Sequence, residues 1–306
     1  MSRSRSREYR DIDGVLILDK PIGLSSNQAL QQVRRLYSAR KAGHCGSLDP
    51  LATGVLPICL GQATRFSSYL LGASKTYRAT CRLGQTTTTG DAEGEVIDTR
   101  ALAFERQDVA RVLQQFVGEI EQVPPMYSAL KHEGRRLYQL AREGKQVERK
   151  ARRIKIFELR FLSLTDDRLE IEVCCSKGTY IRTLAEDIGN ALGCGAHLAA
   201  LRRSAVDALH QRDAVTIERL QQLAEPGSAQ LDDLLLPVTA ALGQFPELQL
   251  DADSSLDICQ GKRVKLEQSR DCGLYRLISA AGVFIGLGEV GPGAELAPKR
   301  LMNTAR

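Results

Sequence analysis

Residues 43–54, GHCGSLDPLATG, gather His44, Cys45, Ser47 and Asp49 in one glycine-punctuated stretch. A serine or cysteine nucleophile needs a base within reach and a third group to orient it, and such sites draw their members from distant segments. Three neighbours on one loop do not supply that arrangement. Asp49 leaves two readings open. Standing before Pro50, it can cap a helical turn whose first residue is proline. Flanked by Leu48 and Leu51, it can instead sit in a partly dry pocket. There, kept ionised by a cation, a carboxylate can act on an electron-poor carbon.

The elements that must position this loop can be read on either side of it. GVLILDKP (14–21) is a buried strand stopped by Pro21, and Ser26 is placed to cap a helix running to Tyr37. After the loop, GVLPICLG reads as a short apolar strand and QATRFSSYLLG as a helix ending at Gly72. KTYRATCRLG alternates, with Tyr77, Ala79, Cys81 and Leu83 on one face. GQTTTTGDAEGE reads as a mobile polar loop, and ERQDVARVLQQFVGEI as an amphipathic helix turning Val109, Val112, Leu113, Phe116 and Val117 inward. PPMYSALKHEGRRLYQLAREGK reads as an extended piece with a short basic helix. RIKIFELRFLSL and RLEIEVCC form an antiparallel pair around Asp166–Asp167. TYIRTLAEDIGNAL passes from loop to helix, and AHLAALRRSAV fits helix or strand equally. Strands and helices mixed without a βαβ rhythm predict an α+β fold. Beyond residues 245–250 the chain turns Gly-rich with short β-like runs, predicting a small β-rich appended domain.

Composition narrows the function classes. Ten Lys/Arg lie between Lys131 and Lys155 against three Glu, more than the whole chain's surplus of +5. Such a field suits a polyanion, or belongs to a solvated basic helix and loop. Eight cysteines without any CxxC pair argue against a zinc site or a disulfide framework, and for reduced thiols in a cytosol. MSRSRSREYR is Arg- and Ser-rich, but Asp11 and Asp13 follow at once. A disordered basic tail over 1–10 is expected rather than a targeting peptide. GLGEVG (286–291) matches GxGxxG, yet Pro292–Gly293 blocks the helix that the dinucleotide fingerprint requires.

Taken together the motifs are recognisable. HCGSLDPLATG resembles the catalytic signature of the TruB family of tRNA pseudouridine-55 synthases. The resemblance extends in order through GVLILDKPIGLSSNQAL, LPICLGQATRFSSYLLGASKTYRATCRLGQTTTTGDAEGEV, PPMYSALKHEGRRLYQLAREG, CSKGTYIRTLAEDIG and LRRSAV with LDDLLLPV. It is dense over 12 to about 245 and looser to the end, which looks like a PUA-type RNA-binding domain.

The resemblance implies a pseudouridine synthase catalytic domain over 11–248, built on a mixed, mainly antiparallel sheet. An RNA-clamping insertion over about 124–152 and a PUA-like domain over 249–306 would complete the chain. It implies isomerisation of one uridine in the TΨC loop of tRNA, with no metal and no cofactor. Asp49 falls on the family's essential aspartate and Arg182 on the arginine that pairs with it; by local sequence alone Arg182 would be a surface helix residue. Tyr77 falls on the tyrosine that stacks on the target base, Tyr180 and Leu201 on residues that close the pocket, and His44 on the histidine that enters the T loop. Without the resemblance, Tyr77 and Leu201 would be core residues. Lys20, with Pro21, matches a pair near the site, taken as support and as a substrate contact. Lys131, Arg135, Arg149, Lys150, Arg152 and Arg153 are the expected phosphate contacts. Cys45 and Ser47 depart from the family's Thr or Ala, so an oxidation-sensitive loop is a further expectation. A monomer in the cytoplasm, with tRNA as partner, no membrane and no obligatory protein partner, completes the picture. Two other readings stay open: a non-catalytic tRNA-folding protein and a guide-RNA-dependent relative.

Overall fold

The computed structural model describes residues 9–224 and 229–303. Most of the expected basic tail lies outside the described residues. Its last two residues are docked, since Arg10 pairs with Asp232 and its amide donates to Ser38 O.

In chain order the larger, N-terminal part begins with strand β1 (Gly14–Lys20), helix α1 (Ser26–Leu36), β2 (Ala42–His44), β3 (Thr53–Leu60), α2 (Ser67–Gly72) and β4 (Lys75–Leu83). There follow β5 (Gln85–Thr87), β6 (Val96–Thr99), α3 (Arg106–Gln115) and β7 (Gly118–Gln122). Next come the small hairpin β8 (Lys131–His132) and β9 (Arg135–Arg136), α4 (Leu137–Arg142), β10 (Arg152–Thr165) and β11 (Arg168–Cys175). Helix α5 (Ile181–Ala191), β12 (Ala196–Val206), β13 (Leu209–His210) and α6 (Ile217–Leu223) close it.

One sheet runs β1-β3-β12-β4-β11-β10-β7, with β2 added to β3 and β13 to β12. All its pairings are antiparallel except β12 with β3. The unpatterned apolar run of β1 has a reason: Leu16 and Leu18 face the core under α1, α3, α5 and α6, while Val15 and Ile17 face a second core containing Phe66 and Leu70. Gly54 enables the parallel contact. Its φ is +100°, and a Cβ there would stand 2.2 Å from Arg203 O.

The ambiguous AHLAALRRSAV is a strand, and QATRFSSYLLG divides into a 3₁₀ segment (Gly61–Arg65) and α2. The cap of α1 is Ser25 rather than Ser26: Ser25 Oγ accepts from Gln28 N, and Ser25 N donates to the Gln28 side chain. Helix α3 ends at Gln115, so Val117 is exposed instead of inward; the chain has already turned toward edge strand β7. The 84–95 stretch is held, not loose. Thr87 and Asp91 are buried, and β5 pairs with β6.

The C-terminal sheet is ordered β14-β16-β17-β18-β15. It is built from β14 (Glu247–Gln249), α7 (Ala252–Cys259), β15 (Val264–Lys265), β16 (Gly273–Ile278), β17 (Phe284–Val290) and β18 (Glu295–Leu301). The GxGxxG run lies mostly within β17 and no α-helix follows it. This sheet is not independent of the first: Phe284 lies 5.6 Å from Phe66, ring to ring, and Leu287 is buried in the same cluster.

Candidate active site

The 43–54 loop leaves β2 at His44 and re-enters the sheet at Thr53. Ser26 anchors its middle from α1, its buried hydroxyl accepting from Leu48 N at 2.7 Å and donating to Leu48 O at 3.0 Å. The residue that might have been a helix cap therefore orients the backbone just before Asp49. Asp49 does not cap a helix. Its carbonyl accepts from Ala52 N in a turn with Pro50 in second position, which leaves the carboxylate free.

That carboxylate lies 3.0 Å from Arg182 Nη2. Arg182, in the first turn of α5, is buried rather than a surface residue, with its side chain 6% exposed. Its other contacts are Thr89 O, Tyr127 O and the buried carboxylate of Asp91 at 3.5 Å. Asp91 is the residue that local reading missed. It sits in the supposed mobile loop, accepts from Thr89 Oγ1 and Glu93 N, and completes an Asp49–Arg182–Asp91 row. A short acidic residue among threonine hydroxyls was the available signal. Asp49 itself is half-exposed, so its surroundings are open rather than dry.

Asp49 and Arg182 stand where two cavities meet. The larger, about 660 Å³, is lined by His44 and Asp91 together with Arg136, Tyr138 and Arg142 of the 124–152 segment. The smaller, about 300 Å³, is walled by Tyr77, Tyr180 and Leu201. The ladder brings these together: Leu201 pairs with Ala79 and Arg203 with Tyr77, so Tyr77, Leu201 and Arg203 share one sheet face. Tyr180 is fixed from the far edge of the sheet. The buried Gln122 side chain accepts from Tyr180 N at 2.8 Å and donates to Tyr180 O at 3.1 Å. Burial pushes both phenols above the ordinary tyrosine value.

His44 lines the large cavity, and its Nδ1 is buried without a partner among the described residues. Burial, with Arg203 nearby, holds its pKa below the usual value, so it is neutral at pH 7. Lys20 is fully buried and does not line either cavity; its ammonium donates to Pro21 O and Leu24 O. Its contribution is to hold the turn, and burial lowers its pKa to about 8. Cys45 points into the core, 3.4 Å from Cys59 Sγ, away from the groove. Cys45 is fully buried, whereas the expected oxidation-sensitive loop calls for an accessible thiol. Among the expected phosphate contacts, Lys131, Arg135, Lys150, Arg152 and Arg153 are exposed. Arg149 differs: it turns inward, donates to Pro124 O, and leaves a buried Nε without a partner among the described residues.

A half-open carboxylate held by a buried arginine, beside an aromatic-walled slot and a wide groove edged with cations, suits chemistry on a base extruded from a polyanion. Three family models match the chain: the TruB family pseudouridylate synthase N-terminal domain over 34–181, the tRNA pseudouridylate synthase B C-terminal domain over 182–243, and the pseudouridine synthase II TruB C-terminal model over 246–302. The chain belongs to the TruB family. It is an isomerase, as that family is. The tRNA pseudouridine synthase B of Nitrosococcus oceani is 51% identical over 99% of this chain and 98% of its own length. The same enzyme of Methylobacillus flagellatus is 53% identical, with 98% of each covered. In fold, the chain is similar to a chain of an H/ACA ribonucleoprotein bound to a substrate RNA containing 2′-deoxyuridine. That likeness has a TM-score of 0.74 at 22% identity, covering 95% of this chain and 86% of the other. It extends the TruB fold assignment across both sheets. No helix among the described residues is long and apolar enough to cross a membrane.

Proposed function

We propose that this chain converts uridine 55 in the TΨC loop of tRNA to pseudouridine. The target base leaves its stack and enters the smaller cavity, where Tyr77 stacks on it and Tyr180 and Leu201 enclose it. A flip costs a few kcal/mol, offset by stacking and backbone contacts. His44, neutral and on the groove side, takes the space the base leaves. The C1′–N1 bond breaks, uracil turns, and C5 joins C1′; the proton lost from C5 is balanced by one gained at N1. Asp49 faces the positive charge that develops at the ribose. Arg182 keeps it aimed, and Asp91 holds Arg182. The exposed cations of the 124–152 segment and the start of β10 follow the T-arm phosphates, and the C-terminal sheet meets the acceptor end.

The observation that carries this reading is the Asp49–Arg182 ion pair at the junction of the two cavities. A tRNA transcript tritiated at uracil C5 tests it without added cofactor or guide RNA. Wild type should release tritium from one T-loop uridine, and Asp49→Asn should bind tRNA yet release none. Tight binding without release from either protein would favour a tRNA-folding role. Release only with a guide RNA would favour the guide-dependent class.

A further inference from the structure

The cations of the small cavity are not all accounted for by its carboxylates. Arg182, which lines this cavity with Asp49, lies between Asp49 and Asp91, so the three together carry one net negative charge. Arg203 and Lys75 also line this cavity, 1% and 6% exposed, and neither pairs with a carboxylate among the described residues. Lys75 Nζ is spent on the carbonyls of Leu70, Leu71 and Ala73. Arg203 is not. Its Nε donates to Val55 O at 2.7 Å and its Nη2 to Gly46 O at 3.0 Å, while Nη1 donates to no carbonyl or carboxylate among the described residues. Arg203 pairs with Tyr77 across the β4–β12 ladder, and its guanidinium faces the Tyr77 hydroxyl.

A buried cation without a counter-ion is strongly disfavoured, so an arrangement carrying two suits a ligand that becomes anionic. The proposed reaction makes such a species. When C1′–N1 breaks, the bond's electron pair stays on N1 and spreads to O2 and O4 of uracil, while positive charge develops at the ribose. The cavity is polarised the same way, negative at Asp49 and positive at Arg203. We propose that Arg203 is a further catalytic residue, donating to the detached uracil anion as it turns between Tyr77 and the ribose, with Lys75 adding to the positive field. The charge is returned when C5 bonds to C1′, C5 loses its proton and N1 gains one, so no co-reactant is needed.

The proposal rests on the isomerase reading, and its test separates the two. Single-turnover rates are measured on tRNA carrying uridine or 5-fluorouridine at the target, following loss of the starting nucleoside after digestion. Fluorine makes the N1 anion less basic and less dependent on a counter-charge. Arg203→Met should slow the uridine reaction about 10²- to 10³-fold, the range for losing one preorganised donor. It should leave tRNA affinity within about threefold of wild type and slow the 5-fluorouridine reaction at least tenfold less, since fluorine supplies the same stabilisation. Arg203→Lys should recover part of the rate. Equal slowing on both substrates would reduce Arg203 to a tether for Gly46 and Val55 and overturn the proposal, as would an unchanged rate. If Arg203→Met does not fold by thermal denaturation, Arg203→Gln is held to the same criterion. Wild type inert on uridine would overturn the functional reading first, and this proposal with it.

Discussion

Asp91→Asn isolates the part of the site least visible from its chemistry. The substitution keeps a polar side chain that can still accept from Thr89 Oγ1 and Glu93 N, and removes only the charge 3.5 Å from Arg182. Both side chains are nearly inaccessible, at 6% and 4%. At that separation the direct attraction is about 5 kcal/mol at an effective dielectric constant of about 20. Neutralising Asp91 also relieves its own desolvation, and Asp49 still faces Arg182, so the net loss should be about 2–3 kcal/mol, below the 3–5 of a fully orphaned buried charge. In a chain of this size that lowers Tm by roughly 3–5 °C. Arg182 then rests on one half-exposed carboxylate and two carbonyls, and its aim at Asp49 loosens. We expect kcat for tritium release to fall about 10²-fold. Asp91 is 3% exposed and out of reach of phosphates, so tRNA affinity should be almost unchanged. Thermal unfolding, filter binding and tritium release on the same preparation test this. A Tm and kcat both equal to wild type would refute the idea that Asp91 holds Arg182. A loss confined to affinity would place Asp91 at the RNA instead.

Ser26→Ala leaves Leu48 N buried without its acceptor, which should cost about 1–3 kcal/mol in unfolding free energy and lower kcat through the displaced Asp49; equal kcat in a folded variant would contradict the anchoring role. Replacing Lys150, Arg152 and Arg153 by Gln should reduce the log–log salt slope of tRNA binding by about 0.7–0.9 per lost phosphate contact. Arg149→Gln should leave the slope alone, since Arg149 turns inward; a slope change of the same size there would reverse that distinction. Burial lowers Lys20 from 10.5 to about 8. Between those values the unfolded chain binds a proton that the folded chain does not, so this group's contribution to stability rises with pH across the window. Chemical denaturation should find the stability of wild type relative to Lys20→Met increasing by about 2–3 kcal/mol from pH 8 to 10, and a constant difference would mean that Lys20 titrates as it does in water.

Much of the architecture was legible because it is written in local periodicity. The alternation of KTYRATCRLG placed Tyr77 on the inward face, and the turn at Asp166–Asp167 divides β10 from β11. The signature around Asp49 was legible as a resemblance, and the ion pair with Arg182 that it implied is present. Errors fell where local pattern competes with distant partners. Ser26 looks like a cap but is recruited by Leu48, and 84–95 looks mobile but closes on Arg182 through Asp91.

By itself, the sequence determined most of the strand and helix segments and where charge would accumulate, while Asp49 was singled out through the family resemblance. The segments and the charge follow from side-chain type and spacing along the chain. Only the tertiary structure decided that AHLAALRRSAV is a strand between β3 and β4, that Gln122 clamps Tyr180, and that Arg203 stands across from Tyr77 without a counter-ion. Each depends on sheet order and register, which bring together residues 58 to 149 positions apart. No local pattern encodes that distance, because strand pairing is set by which faces the whole core can bury at once.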